Sequence, residues 1–261
     1  MALTIFALLA VAGLYYLSRH YFKADPASIA PTTGPKAGGF GTGDIWVAGF
    51  LAVLLVGNTI ESFGKKQTFT TGIIIASCVL YLLLVTAIVT LLIARGRNPI
   101  RIFGLNWLNW PRQAPWAFLA LLCIYPVIIT IQLVMEKFYG PDLAPQEILR
   151  FLADNPGLPE KLLLILLAIV MAPLAEEFIF RGYIFGVARQ YIGRWPAILL
   201  NSLVFAFIHG HIPAFLGLCV LAIFLTLVYE RTGSLWAPIL LHAFFNTVTI
   251  IGTLCFPASL P

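Results

Sequence analysis

Ile73 to Ile93 is a run of 21 residues without a charged side chain. A helix needs about 20 residues, at about 1.5 Å each, to cross the ~30 Å hydrocarbon core of a bilayer. Backbone in lipid must satisfy its own hydrogen bonds, so a helix is the form such a run takes. The feature recurs. Apolar runs stand at Met1–Leu17, Ile45–Ile60, Ile73–Ile93, Trp116–Met135, Leu162 into Met171–Gly186, Ala197–His209, Ala214–Tyr229 and Leu235–Phe256. The expectation is an all-α, polytopic membrane bundle of about eight transmembrane helices with a polar intramembrane cavity. Only 10% of the 261 residues are charged and 60% are hydrophobic, against about 25% charged in a soluble domain. A large soluble domain is excluded. The net charge of +5 lies between the runs, so it marks topology and not a nucleic-acid surface. The bilayer is the expected surrounding, and no nucleic-acid partner is expected.

The links between runs carry their own signals. Met1–Leu17 has no basic segment before it, the first basic residue being Arg19, so it is expected to be an uncleaved span. Residues 18–44 are rich in Pro and Gly and read as a flexible loop. Residues 95–114 mix Arg95, Arg97, Arg101 and Arg112 with Trp107 and Trp110, the pattern of a helix lying along the headgroups. Residues 136–161 form the most acidic loop. With the N-terminus outside, inside loops hold eleven Lys and Arg, Arg181 among them, and outside loops five. Both termini are therefore expected outside. Residues 1–160 read as N-terminal transmembrane helices and loops and 161–256 as the part that carries chemistry, within one structural domain. Cys78, Cys123, Cys219 and Cys255 fall in apolar runs without CxxC spacing and read as small apolar residues.

Met171–Gly186, MAPLAEEFIFRGYIFG, places Glu176, Glu177 and Arg181 at membrane depth. A charge there costs roughly 2.5–3.5 kcal/mol on insertion scales and marks function by default. Glu177 and Arg181 are four apart and can pair. Glu176 points about 100° away, which leaves it free for chemistry. Pro173 can kink the helix before the pair, and Gly182 and Gly186 allow close packing. Phe205 and His209 share a helix face in NSLVFAFIHGH, with His211 read as interfacial. His242 and Asn246 share another in LLHAFFN.

One carboxylate, two imidazoles and an amide on three helices can hydrolyse a peptide. Glu176 accepts a proton from water, helped by His209. His242 and Asn246 donate to the oxyanion. No serine or cysteine stands at a matching position, so a covalent acyl-enzyme is not favoured. Zinc bound by Glu176, His209 and His242 with water in the fourth place competes with this arrangement, although HExxH is absent. Sequence leaves metal-bound water and metal-free water activation both open.

The order and spacing of these motifs resemble the CPBP family of intramembrane proteases, the type II CAAX prenyl endopeptidase and bacteriocin-processing group, also called Abi. Its pattern is EExxxR, FxxxH and HxxxN, here Glu176-Glu177-xxx-Arg181, Phe205-xxx-His209 and His242-xxx-Asn246. Arg231 to Asn246 is similar to the family's last motif. The resemblance covers about residues 165–250. It implies that Glu176 is the catalytic glutamate and His209 its partner. It gives His242 and Asn246 the oxyanion and Glu177 and Arg181 a supporting role. It also implies cleavage of a C-terminal or membrane-proximal bond in a peptide or lipidated protein.

The leading expectation is an intramembrane endopeptidase whose cavity opens towards the cytoplasm, in the plasma membrane if the cell is prokaryotic. A non-catalytic scaffold or bacteriocin-immunity protein is the alternative, with a proton-coupled transporter behind it. Measured from the inside face, Glu176 and His242 fall about 8–10 Å deep and His209 nearer 20 Å. That mismatch asks the sixth helix to tilt or begin deeper, or the boundary to lie elsewhere.

Overall fold

The computed structural model describes residues 39–63, 70–106, 108, 110–139, 146–154 and 157–255. The expected first span, the Pro/Gly stretch up to residue 38, Lys65, Lys66, Trp107, Asp142 and Phe256 lie outside the described residues. Among the described residues the fold is entirely helical. The helices are α1 (Thr42–Ser62), α2 (Thr71–Ala94), α3 (Pro99–Ile102), α4 (Trp110–Tyr139), α5 (Glu147–Ala153), α6 (Leu158–Ile192), α7 (Arg194–Ile208), α8 (Ile212–Thr232) and α9 (Trp236–Cys255). Six of these, α1, α2, α4, α6, α8 and α9, are long and apolar enough to cross a bilayer, and α7 is shorter. The protein is an integral, multi-pass helical membrane bundle.

Local chemistry sets the helix ends. Thr70 caps α2 by accepting from the Ile73 N–H at 3.3 Å. Asn98 caps α3 by accepting from the Arg101 N–H, with Pro99 in the first turn. His211, read from sequence as interfacial, caps α8: its Nδ1 accepts the Ala214 N–H at 3.2 Å. The cap satisfies one of the four N–H groups that a helix start leaves unpaired. Gly233 ends α8 with φ of 65°, a left-handed conformation that favours glycine.

That turn is locked to the turn after α3. Gly104 has φ of 62°, and a Cβ there would stand 2.0 Å from the Gly233 carbonyl oxygen. Ser234 Oγ donates to the Gly104 carbonyl at 2.7 Å, and the Leu235 N–H donates to the Phe103 carbonyl at 3.0 Å. The contact fixes where α9 begins. Leu235 and the Phe103 ring in turn press on Gly182, where a Cβ would come within 3.1 and 3.2 Å of them.

Several boundaries differ from the sequence reading. The helix expected along the headgroups over 95–114 reduces to the single turn α3, because Trp110 onwards already belongs to α4. Pro126 lies inside α4 without ending it, and Thr130 Oγ1 takes up the Pro126 carbonyl at 2.8 Å. The acidic link contains α5, whose Leu152 packs with Leu164 and Ile250. Cys123 and Cys219 are buried as expected, whereas Cys255 is exposed at the end of α9.

The largest correction concerns α6. It runs to Ile192, so Arg181 is not a loop cation; it is fully buried. The helix ends instead beside Arg189, which pairs with Glu230 of α8 at 2.7 Å, and Arg194 at the start of α7 pairs with the same carboxylate at 2.8 Å. From this basic end Glu176 lies roughly 20 Å along α6 and His209 roughly 22 Å along α7. The depth mismatch disappears, and it was Glu176 that had been placed too shallow. Measured along the helices, the site stands roughly 20 Å from the basic end.

Candidate active site

α6 is not a uniform α-helix. It widens to π-helix over Leu167–Met171 and again over Phe178–Ile184, and Ala172–Glu177 between them is α-helical. Each widening skips a backbone bond and turns the residues that follow, a device frequent at functional sites. The first precedes Pro173, which has no N–H to offer the ladder. Asn246 of α9 meets this stretch: its Nδ2 donates to the Ala168 carbonyl at 2.8 Å. An amide at membrane depth thus ties α9 to the widened turn of α6.

The two glutamates divide as their positions on the helix require. Glu177 is fully buried. Its Oε1 accepts from Arg181 Nη1 at 2.9 Å and lies 2.8 Å from His242 Nδ1. Arg181 Nη2 also donates to the Ala222 carbonyl of α8 at 3.3 Å. The guanidinium carbon stands 4.2 Å from the centre of the Phe205 ring, a cation–π contact inside the bundle. The fully buried Phe205 ring also lies edge-on to Phe180 and His242, with centroids 5.3 and 5.8 Å away. It is the apolar floor under the polar groups.

Glu176 takes the other direction. Its Oε1 accepts from the Tyr81 hydroxyl of α2 at 2.6 Å. Its Oε2 lies 4.0 Å from His209 Nε2 and 4.0 Å from His242 Nε2. The acid and both rings therefore share one place, contributed by α6, by the end of α7 and by α9. The levels follow from the fold. Leu235 sits against Gly182, six residues beyond Glu176, and His242 is seven residues along α9 from Leu235. The two helices run in opposite directions, so those lengths cancel.

Hydrogen-bond partners assign the ring protons. His209 Nδ1 stands 2.7 Å from the Phe205 carbonyl. A carbonyl only accepts, so Nδ1 carries a proton, and in the neutral form of the ring Nε2 offers a lone pair. His242 Nδ1 faces the Glu177 carboxylate in the same way. Both Nε2 atoms face Glu176 Oε2. Glu176 is 7% exposed and His242 3%, while the His209 side chain is 22% exposed.

The spacing can be set against what water and zinc each require. A water about 2.8 Å from two atoms 4.0 Å apart subtends roughly 90°, an angle that water accommodates. Zinc holds its donors at about 2.0–2.2 Å in a tetrahedron, which sets them roughly 3.4 Å from one another. Among the described residues no group of three His, Cys, Asp or Glu side chains is placed to hold a metal ion. Glu176, His209 and His242 do not fit zinc as they stand.

Sequence reasoning missed Tyr81. A tyrosine in an apolar run is ordinary, and Ser77, one turn before it, only donates to the Ile73 carbonyl of its own helix. The remaining site residues lie in the last hundred residues. The family model described as type II CAAX prenyl endopeptidase, Rce1-like, matches residues 158–248, from the start of α6 into α9. Residues 158–248 are thus similar to the Rce1-like domain. Among the described groups at the Glu176 site, Tyr81 alone comes from outside this matched region.

Curated proteins are also similar to this chain. The "Putative membrane peptidase YdiL" of Bacillus subtilis (strain 168) is 30% identical over 89 residues, 34% of this chain and 36% of that protein. The "Membrane-embedded CAAX protease MroQ" of Staphylococcus aureus (strain USA300) is 28% identical over 204 residues, 73% of this chain and 78% of that protein. The "UPF0177 protein YaiF" of Lactococcus lactis subsp. lactis (strain IL1403) is 37% identical over 83 residues, 31% of this chain and 37% of that protein. The chain thus spans little more than a third of the Bacillus and Lactococcus proteins. No solved structure matches it.

Proposed function

We propose that the protein is an intramembrane endopeptidase in which Glu176, with His209, activates water directly for attack on a peptide bond. The observation that carries this reading is one carboxylate oxygen set 4.0 Å from the Nε2 atom of each of two imidazoles. A water held there donates one hydrogen to Glu176 Oε2 and the other to His209 Nε2. As its oxygen bonds to the scissile carbonyl carbon, its proton passes to the carboxylate. Collapse of the tetrahedral intermediate breaks the C–N bond, and the leaving nitrogen takes up that proton.

The other groups have supporting parts in this scheme. With a second proton taken from bulk water before the peptide binds and kept through the cycle, His242 Nε2–H donates to the developing oxyanion, and the Glu177 carboxylate at Nδ1 stabilises the charged ring. Asn246 already spends one hydrogen on Ala168 and would bring the second to the oxyanion. Arg181 holds Glu177 aimed at His242. The Rce1-like domain and the printed names of the relatives support a bond near the C-terminus or the membrane surface, CAAX-type, in a peptide or lipidated protein. The setting would be the plasma membrane if the cell is prokaryotic.

The test uses the full chain in liposomes with a membrane-tethered peptide ending in a CAAX-type sequence. New termini are read by mass spectrometry, with and without a zinc chelator. The expected result is cleavage that survives chelation and is lost in Glu176→Gln. Cleavage that stops with the chelator and returns with zinc would overturn the metal-free scheme. Full activity in Glu176→Gln would overturn the assignment of the base.

A further inference from the structure

The Tyr81–Glu176 hydrogen bond has no counterpart in the sequence motifs, and it comes from an unexpected direction. α2 is mostly directed at lipid, with only Ile74, Ile88 and Leu92 buried. Tyr81 is where it sends a polar atom into the site. The phenol approaches Glu176 Oε1 at 2.6 Å, in the range of a short, charge-assisted O–H···O⁻ bond. The ring is anchored beneath: Tyr81 packs against the cluster of Ile74, Leu164 and Leu167, so the hydroxyl is delivered by the packing of α2 on the first half of α6.

The bond has a geometric consequence. A carboxylate attached only through its own side chain can rotate and offer either oxygen. With Oε1 taken by Tyr81, the plane of the carboxylate is fixed, and Oε2 is the oxygen left between His209 and His242. Glu176 otherwise has no cation beside it, unlike Glu177. We propose that Tyr81 is the positioning residue of this site. It holds Glu176 so that Oε2 alone serves as the base, which makes α2 part of the active site although it lies outside the Rce1-like domain. The inference rests on the endopeptidase reading for its kinetic consequence, but the hydrogen bond can be tested without it.

The experiment compares wild type with Tyr81→Phe, full chain in liposomes, by two measurements. The first is steady-state cleavage of the tethered peptide. Loss of one hydrogen bond to a charged group should lower kcat about 10- to 100-fold, with KM within about twofold and unchanged thermal unfolding. The second is the rate at which a hydrophobic carbodiimide labels Glu176, read by mass spectrometry. This should rise several-fold when the hydroxyl no longer covers Oε1. Unchanged kcat with unchanged labelling would overturn the proposal. So would a raised KM with normal kcat, which would mean that Tyr81 contacts substrate instead. If wild type cleaves nothing, the endopeptidase reading fails, and the labelling alone decides whether Tyr81 holds Glu176.

Discussion

The basic end of the bundle and its middle treat buried carboxylates in opposite ways. At the basic end Asp44 is fully buried and surrounded by donors. Arg95 and Tyr183 reach Oδ1, while Arg97, at 2.9 Å, and the Gly41 N–H, at 2.7 Å, reach Oδ2. Glu230 holds Arg189 and Arg194 in the same manner. Glu177, the residue after the proposed base, is likewise held by Arg181 through Oε1. Glu176 has no Arg or Lys partner; it has a phenol on one oxygen and two imidazole rings 4.0 Å from the other. A carboxylate paired with a guanidinium serves to fasten helices. The contrast supports the proposed role of Glu176 as the group that takes a proton.

The contrast can be broken from either side. Arg181→Met should have the largest effect on stability, about 3–5 kcal/mol, because it strands a buried Glu177 charge. Thermal unfolding in detergent would show it. Adding Glu177→Leu to Arg181→Met removes the stranded charge as well, so most of that loss should return. Cleavage should nevertheless stay low, since His242 Nδ1 has lost its acceptor. A double variant that regained activity would show that Glu177 only fastens helices. A smaller loss, about 1–3 kcal/mol, is expected for Asn246→Leu, which leaves the Ala168 carbonyl of the widened turn unpaired in the membrane. Smallest of all, His211→Ala should cost about 1 kcal/mol as a lost helix cap and leave cleavage unchanged. A marked fall in activity would mean that His211 acts in the reaction, which its contact with the Ala214 N–H gives no reason to expect.

Spans were legible because hydropathy and length are properties of a run of residues. Seven of the eight expected runs correspond to described helices, and the first lies outside the described residues. The depth of the site was not legible. Arg181 reads as a loop cation, and its burial depends on Glu177, Phe205 and the Ala222 carbonyl, of which the last two are far off in sequence. The grouping of Glu176, His209 and His242 could be inferred because three ionisable groups at membrane depth need a common polar place. Their registration could not, since it rests on turn contacts such as Gly104 on Gly233. The π-helical stretches beside Glu176 leave no local signature, and neither does Tyr81, whose neighbours in sequence are those of any lipid-facing helix.

The most direct measurement pairs cleavage with unfolding in Glu176→Gln. The replacement keeps the shape and removes only the base, so the account predicts a loss of about 10²- to 10⁴-fold in the rate of peptide cleavage, with thermal unfolding at the wild-type temperature. Cleavage retained at the wild-type rate would contradict it, as would a collapse in stability like that of Arg181→Met, which would place Glu176 among the carboxylates that fasten the bundle.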